Sequence, residues 1–253
     1  MIPVAAVTSA SAITRVLAAT SPVAYGVTVG MAAVACAGAC SAARFRPGRW
    51  TRWVARGVGV VLLADLVSYV VVQTADGTWS AKTSLPLPLC DVGVLVGAVA
   101  CLFGLPLFVE LTYFWGIAGT LQAVAFPDLS ATFPHLVWFQ YTAGHLGIVF
   151  AALFLVVGMG LRPRTGAAVR VFAITIGYTA FVGLVDWISG ANYMFLRHAP
   201  AEWTPLKVLG PWPWYIASAA GVAIVLITAL DAPFWHSRRS RGTHRAATIE
   251  SRP

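Results

Sequence analysis

Seven apolar stretches, most of them long enough to cross a lipid bilayer, restrict this chain to a helical membrane protein. A transmembrane helix needs about 20 mostly apolar residues to span roughly 30 Å of hydrocarbon. Strands of a transmembrane barrel would show alternation over about ten residues, which these runs lack. We therefore expect an all-α fold, a bundle of seven transmembrane helices. The stretches are Pro22–Cys40, Trp53–Val72, Pro88–Phe103, Phe108–Phe126, His135–Gly160, Val169–Ser189 and Trp212–Phe234.

Composition excludes the soluble classes. Of the 253 residues, 58% are hydrophobic and only 10% are charged, whereas soluble domains carry about 25% charged residues. The net charge is +8, but the basic residues stand between the apolar runs, as membrane-flanking charges do. This placement argues against a nucleic-acid partner and favours a multi-pass protein of the cell (plasma) membrane.

The basic residues also predict an orientation. With the N-terminus outside, 13 of the 17 Lys and Arg residues fall in cytoplasmic segments, and only Arg15, Lys82, Arg197 and Lys207 fall outside. Cytoplasmic loops are enriched in Lys and Arg, so we expect the N-terminus outside and the C-terminus in the cytoplasm. The expected division is a poorly ordered extracellular segment (1–21), the helical domain (22–234) and a basic, disordered cytoplasmic tail (235–253).

The segment from Ser84 to Asp91 combines two prolines with a thiol and a carboxylic acid at the start of the third stretch. Proline is tolerated at a helix start because its missing N–H would be unpaired there in any case. Helix geometry beginning near Pro88 would place Cys90 and Asp91 in the first turn. The unpaired N–H groups and the dipole at that end favour thiolate. An aspartate at a membrane helix centre costs about 2.5–3.5 kcal/mol, which makes a functional role the default interpretation.

Other polar residues fall toward the same side of the membrane. His145 lies ten residues into the fifth stretch, about 15 Å along a helix. The inner halves of the stretches are almost purely aliphatic, so we expect a polar cavity in the outer leaflet. The further candidate residues of that cavity are Asp91, Gln122, Asp186, Asn192 and Tyr193.

A cysteine beside a histidine suits acyl transfer. The imidazole generates the thiolate, protonates the leaving oxygen and then deprotonates the acceptor alcohol. Asn192, Gln122 or N–H groups at the start of the third helix would stabilise the oxyanion. Asp186 or Asp91 would orient the imidazole. Each residue also has a structural reading, since Cys90 is a small hydrophobe and His145 can pack against a backbone carbonyl.

A second class of function stays open. Asp65, Asp91, His145 and Asp186 would also form a polar pathway in a non-catalytic small-solute or proton-coupled carrier or receptor. Such a carrier needs polar groups that continue to the cytoplasmic face, and beyond Asp65 few are visible. The four cysteines show no zinc or disulfide spacing, so neither a metal nor a cofactor is expected.

Five motifs occur in one order between residues 84 and 233: Leu85–Leu87 with Leu89–Asp91 (LPL and LCD, on either side of Pro88), Tyr113–Ala123 (YFWGIAGTLQA), Gly144–Gly147 (GHLG), Gly190–Leu196 (GANYMFL) and Gly210–Tyr215 (GPWPWY). Together they resemble the YwaF-like bacterial integral membrane proteins, which are related to the eukaryotic transmembrane protein 164. That protein is described as a cysteine-dependent acyltransferase that remodels ether phospholipids. The resemblance implies that membrane phospholipids are the partners, that Cys90 is the nucleophile and that His145 is its base.

An activated thiol is expected to react first. Iodoacetamide should label Cys90 ahead of Cys36, Cys40 and Cys101, because only Cys90 is expected beside a base at a helix start. Mass spectrometry of the four cysteine peptides over a labelling time course measures the order. Equal rates at all four thiols would contradict an activated Cys90.

Overall fold

The computed structural model of the protein describes residues 4–129, 131–200 and 204–250, with side chains described over 21–129, 131–200, 204 and 206–235. Within these ranges the regular structure is helical, with no strand. The predicted all-α fold is therefore confirmed. Two short 3₁₀ turns, Tyr193–Phe195 and Pro205–Leu209, lie between the last two helices. The seven helices are α1 (Val4–Phe45), α2 (Arg49–Ala75), α3 (Leu89–Phe103), α4 (Pro106–Ala125), α5 (Leu136–Gly158), α6 (Ala167–Ser189) and α7 (Trp214–Glu250).

Six of the helices contain a stretch long and apolar enough to cross a membrane, and α3 is a shorter apolar helix of 15 residues. Large apolar side chains cover much of the outward surface: Val34 is 75% exposed, and Ile188 is 73% exposed. Contiguous apolar surface of this kind suits contact with lipid. The seven predicted helices are thus present, while the orientation of the bundle stays a prediction.

The predicted division of the chain concerns segments that are described only in part. Helix α1 begins at Val4 and α7 ends at Glu250, so helical backbone extends into both terminal segments. The side chains before residue 21 and after residue 235 lie outside the described residues. The boundaries at residues 21 and 235, and the expected disorder beyond them, stay predictions.

Leu62 lies at the centre of the core and shows how small residues let the helices approach. Its side chain is fully buried on α2. A Cβ added at Gly147 of α5 would lie 2.8 Å from the Leu62 Cδ2 atom, and one at Gly97 of α3 would lie 3.3 Å from Cδ1. In lipid, where apolar side chains gain little from leaving the solvent, such close packing of helices is what stabilises the bundle.

Helices α4 and α5 each contain a π-helical turn, at Trp115–Thr120 and Phe154–Gly158. Gly116 in the first of these packs tightly on α5, since an added Cβ would lie 3.0 Å from the Ala152 Cβ and 3.2 Å from the Ile148 Cγ2. π-Helical turns are rare in proteins, and those that occur are often found at functional sites. The turn in α4 coincides with the Tyr113–Ala123 motif.

Helix α3 does not reach across the bilayer. Its 15 residues span about 22 Å, against roughly 30 Å of hydrocarbon. It ends at Gly104, whose left-handed backbone (φ 64°) closes the helix, and α4 begins directly afterwards at Pro106. We therefore expect the preceding segment, Ser84–Pro88, to continue into the membrane as non-helical backbone that leads into Leu89.

A buried ion cluster corrects the expectation that the inner halves are almost purely aliphatic. The Glu110 side chain on α4 is 1% exposed. It accepts bidentate hydrogen bonds from Arg164 (2.8 and 3.1 Å) and from Arg170 (3.0 and 3.1 Å). The backbone N–H of Arg164 adds a bond of 2.9 Å, and the carboxylate raises the pKa of the Arg164 guanidinium. The cluster joins α4 to the start of α6 at the arginine-rich end of the bundle.

Loss of the Glu110 charge should loosen this end of the bundle. Glu110→Gln leaves two guanidinium groups without their carboxylate. We expect the free energy of unfolding to fall by about 1–3 kcal/mol. This loss is smaller than is usual for a fully buried ion pair, because both arginines are partly exposed. Thermal unfolding in detergent measures the change. The matched control is Arg162→Gln in the same loop, which should unfold like the wild type; equal unfolding of the two variants would contradict the role of Glu110.

Candidate active site

A cavity of about 210 Å³ lies between α2, α3 and α5, at the end of the bundle opposite the arginine-rich end. Cys90, Asp91 and His145, which the sequence predicted as neighbours, all line it. The other polar side chains of its wall are Asp65, Tyr69, Gln140 and Tyr141. A thiol, an imidazole and two carboxylates therefore share one chamber at membrane depth.

The geometry around His145 fixes which ring nitrogen is free. Its Nδ1 atom lies 2.8 Å from the backbone carbonyl oxygen of Tyr141, one helical turn earlier. A carbonyl oxygen can only accept, so Nδ1 carries the hydrogen and Nε2 keeps its lone pair. The Tyr141 ring stacks on the imidazole with 4.1 Å between centroids, and its hydroxyl donates to the Ala123 carbonyl at 2.8 Å. The imidazole is thus held in the tautomer that a general base requires.

This arrangement differs from the expectation that a carboxylate orients the imidazole. Asp186 does not line the cavity, and Asp91, which does, is not the group that binds Nδ1. A backbone carbonyl, rather than a carboxylate, orients the imidazole.

Cys90 is the partly exposed cysteine of the four, and Cys36, Cys40 and Cys101 are buried. Helix α3 begins at Leu89 with Pro88 as its N-cap, so Cys90 and Asp91 lie in the first turn as predicted. The Thr120 side chain, at the end of the α4 π turn, interacts electrostatically with the thiol. In the described part of the chain, the N–H groups of Leu89 and Cys90 have no hydrogen-bond acceptor, as is usual for the first turn of a helix.

Two carboxylates face the cavity without a counter-charge. Asp65 and Asp91 lie close enough for their charges to interact. Over the described residues neither forms an ion pair. Asp65 lies against α5, where a Cβ on Gly144 would be only 2.9 Å from its Oδ2 atom. The glycine before His145 is therefore explained by the approach of this carboxylate.

The segment that delivers Cys90, Ser84–Pro88, is called the proline segment below. Its backbone N–H groups are all accounted for. That of Ser84 donates to Ser80 at 2.8 Å, and that of Leu87 donates to Leu85 at 2.7 Å. Pro86 and Pro88 have no N–H to satisfy. The remaining donor, at Leu85, bonds to a side chain from a distant part of the chain.

Two tyrosine hydroxyls, which we call the tyrosine clamp, complete these hydrogen bonds. The Tyr193 hydroxyl accepts from the Leu85 N–H at 2.9 Å and donates to the Ala81 carbonyl at 3.1 Å. The Tyr178 hydroxyl donates to the Leu87 carbonyl at 2.7 Å. Non-helical backbone at membrane depth persists only where protein groups satisfy it. The tyrosine clamp supplies those groups.

The predicted candidates outside the cavity have other partners. The Asp186 carboxylate is fully buried and accepts from the backbone N–H of Tyr193 at 2.9 Å, so both residues belong to the support of the proline segment. Asn192 binds the backbone of Arg197 and His198 in its own loop. Gln122 donates to the Ala118 carbonyl at 2.6 Å and lines a separate groove. The structure thus brings together Cys90, Asp91 and His145 but not Gln122, Asp186, Asn192 or Tyr193.

Several residues of the site were not predicted. Tyr141 stands four residues before His145, a helical spacing that could have identified it. Thr120 lies inside the Tyr113–Ala123 motif. Tyr69, Gln140 and Tyr178 carry no signal in the sequence. Among the described residues no group of three or more His, Cys, Asp or Glu side chains could hold a metal ion.

The helices and the cavity define a class of protein, a polytopic helical membrane protein with a polar chamber at membrane depth. A sequence model of the TMEM164 family matches residues 14–231. The match covers most of the chain, so the protein belongs to the TMEM164 family.

One curated relative aligns with most of the chain. The chain is 26% identical over 185 residues to an uncharacterized protein of Treponema pallidum (strain Nichols), and the alignment covers 72% of this chain and 76% of the relative. The similarity therefore extends over more than two thirds of both proteins. No solved structure matches the chain significantly.

The contact between Asp65 and Gly144 can be tested by size. Gly144→Ala places a methyl group 2.9 Å from the carboxylate oxygen and 3.5 Å from Val94. We expect a loss of about 1–3 kcal/mol of stability from the overpacking, measured by thermal unfolding in detergent.

The control is Gly93→Ala, where the new Cβ would meet Ile148 at an ordinary 3.5 Å. It should be neutral or stabilising, because alanine favours the helix. In an Asp65→Ala background the cost of Gly144→Ala should disappear. A cost that persists there would show that Asp65 is not the residue displaced.

Proposed function

We propose that this protein transfers acyl groups between phospholipids through a thioester on Cys90, with His145 as general acid and base. The observation that carries the proposal is that Cys90 and His145 line the same cavity at membrane depth. Membership of the TMEM164 family supports it, since the sequence motifs imply the same two residues in these roles.

In the first half-reaction the His145 Nε2 atom takes the proton of the Cys90 thiol. The thiolate attacks the carbonyl carbon of a phospholipid ester and forms a C–S bond. The C–O bond to the glycerol oxygen then breaks, and His145 returns the proton to that oxygen. The products are a lysophospholipid and an acyl thioester on Cys90.

The second half-reaction runs the same steps toward an acceptor. His145 removes the proton of the acceptor hydroxyl, and the oxygen attacks the thioester carbonyl. A new C–O bond forms, the C–S bond breaks, and the proton returns to the Cys90 sulfur. With water as acceptor the product is a fatty acid, so the purity of the transfer depends on excluding water from the cavity.

The unpaired N–H groups of Leu89 and Cys90 are suited to stabilise the oxyanion of both tetrahedral intermediates. They take the place that the sequence had given to Asn192 and Gln122 as alternatives. Such N–H groups point along the helix axis toward its N-terminus, where the positive end of the helix dipole adds to the effect.

A membrane phospholipid suits the surroundings of this thiol. The cavity lies among helices that are long and apolar enough to cross a membrane, and lipid esters are the abundant acyl donors in a membrane. A second, mainly apolar groove of about 320 Å³ lies between α4 and α7 and extends to Leu89, the neighbour of Cys90. Its walls include Phe114, Ala118 and Val222. Such a groove offers room for a hydrocarbon chain beside the reactive thiol.

The alternative function, a small-solute or proton-coupled carrier or receptor, receives less support from the geometry. Asp65, Asp91 and His145 do share the cavity, but Asp186 does not line it. Toward the arginine-rich end the buried acids are Glu110 and Asp231. Glu110 is held by arginines and Asp231 accepts from Trp235 at 2.7 Å, and neither lines the cavity.

We place the enzyme in the plasma membrane, and we assign it to the YwaF-like bacterial branch of its family.

Cys90→Ser should abolish transfer of a labelled acyl chain from a diacyl phospholipid to a lysophospholipid. A serine hydroxyl is a far weaker nucleophile than a thiolate beside the same base. Lipid analysis by mass spectrometry after incubation of the purified protein measures the products, with Cys90→Ala as a second inactive variant.

Cys101→Ala is the matched control, because it removes a buried cysteine of the same helix outside the cavity. It should retain transfer. Transfer that survives Cys90→Ser at the wild-type rate would exclude Cys90 as the nucleophile.

A further inference from the structure

The proline segment has no hydrogen-bonded partner strand or helix of its own, so its position depends on side chains from elsewhere. The tyrosine clamp reaches it from 91 and 108 residues away along the chain. Both tyrosines lie outside the cavity wall. Their contacts are with Ala81, Leu85 and Leu87, the residues that lead into α3.

Displacement of these residues would be transmitted to Cys90. Pro86 and Pro88 fix two of the backbone φ angles between Leu85 and the thiol. The segment is also packed: Leu85 and Leu87 lie against a small apolar cluster formed by Val182, Ala191 and Tyr193. The backbone of Leu85 and the start of α3 therefore move as one short, stiff unit.

The Tyr193 side of the tyrosine clamp is itself held in a strained conformation. Met194 and Phe195, the two residues that follow, both have positive φ angles (54° and 58°), which non-glycine residues rarely adopt. Such a conformation persists only where its surroundings enforce it. Here Asp186 binds the Tyr193 N–H at 2.9 Å, the Tyr215 hydroxyl binds the Phe195 carbonyl, and Trp212 binds the Leu196 carbonyl at 3.0 Å.

We propose that Tyr193, assisted by Tyr178, is a positioning residue that holds the Cys90 thiol and the N–H groups of the first turn of α3 in register with His145. The inference rests on the proposed function for its catalytic meaning, but its structural part stands on the hydrogen bonds alone. Tyr193 touches no reacting atom. Asp186, buried beneath it, fixes the backbone from which the tyrosine extends.

Tyr193→Phe tests this role, because it removes the hydroxyl and leaves the ring. The Leu85 N–H and the Ala81 carbonyl then lose their partner, and the segment opens more often. We expect the rate of Cys90 alkylation by iodoacetamide to rise about 3–10-fold, as for the loss of one hydrogen bond from a local opening equilibrium. Peptide mass spectrometry of the intact protein in detergent measures the rate.

Tyr25→Phe is the matched control. The Tyr25 hydroxyl donates to the Val124 carbonyl at 2.9 Å and so makes the same kind of bond between distant segments, but it joins α1 to α4. Its loss should change the rate of Cys90 alkylation by less than about 2-fold. An unchanged or slower rate in Tyr193→Phe would overturn the proposal, and so would an equal rise in both variants.

Two further measurements separate positioning from simple destabilisation. Tyr178→Phe, which removes only the bond to Leu87, should raise the alkylation rate in the same direction if Tyr193→Phe fails to fold. In the transfer assay, Tyr193→Phe should lower kcat about 10-fold and leave KM within 2-fold, because Tyr193 contacts no substrate. A rise in KM with an unchanged kcat would contradict a positioning role.

The proposed function and this inference fail in different ways. If the wild-type protein transfers no acyl group, the proposed function is wrong, and the alkylation rates still decide whether the tyrosine clamp controls the thiol. If transfer occurs and depends on Cys90, but alkylation is the same in Tyr193→Phe and the wild type, only the positioning role is lost.

Discussion

The proline segment is held by hydrogen bonds from side chains far away in the sequence, and the candidate site depends on this constraint. Helix α3, with 15 residues, is shorter than a membrane span, and we expect Ser84–Pro88 to continue into the membrane as non-helical backbone. At that depth an unpaired N–H or carbonyl group costs several kcal/mol. Two prolines remove two donors, and two tyrosines pair the Leu85 N–H and the Leu87 carbonyl. The same geometry leaves the first turn of α3, with its thiol, recessed beside the middle of α5.

The molecule therefore divides its tasks between helices. Helices α2, α3 and α5 form the cavity, and glycines at their contacts let Leu62 and Asp65 approach closely. Helix α6 supports this group from outside. The Glu110 cluster joins its start to α4, Tyr178 at its middle binds the proline segment, and Asp186 near its end binds the following Tyr193. The polar residues of α6 thus support the site without entering it. Residues near the thiol therefore have two roles: those on α2, α3 and α5 line the cavity, and those on α6 support the proline segment.

Much of the fold could be predicted from the sequence, because helix length and hydrophobicity are set by the bilayer itself. The place of Cys90 in a first turn followed from its prolines. The shared cavity of Cys90 and His145 was also predicted, from their common side of the membrane. Depth alone does not give the face of a helix, however, so Gln122 was placed in the wrong cavity and Asp186 was taken as a cavity residue.

What could not be predicted depends on partners far apart in the chain. In the sequence Glu110 is an isolated charge, because the two arginines that bind it, Arg164 and Arg170, follow only 54 and 60 residues later. The tyrosine clamp joins segments about 100 residues apart.

The most direct test of the account is cross-linking of Cys90 to His145→Cys by a short bifunctional thiol reagent, in a chain without the other three cysteines. The account predicts a cross-link at this pair and none with Leu146→Cys, which faces α1; the reverse result would contradict it.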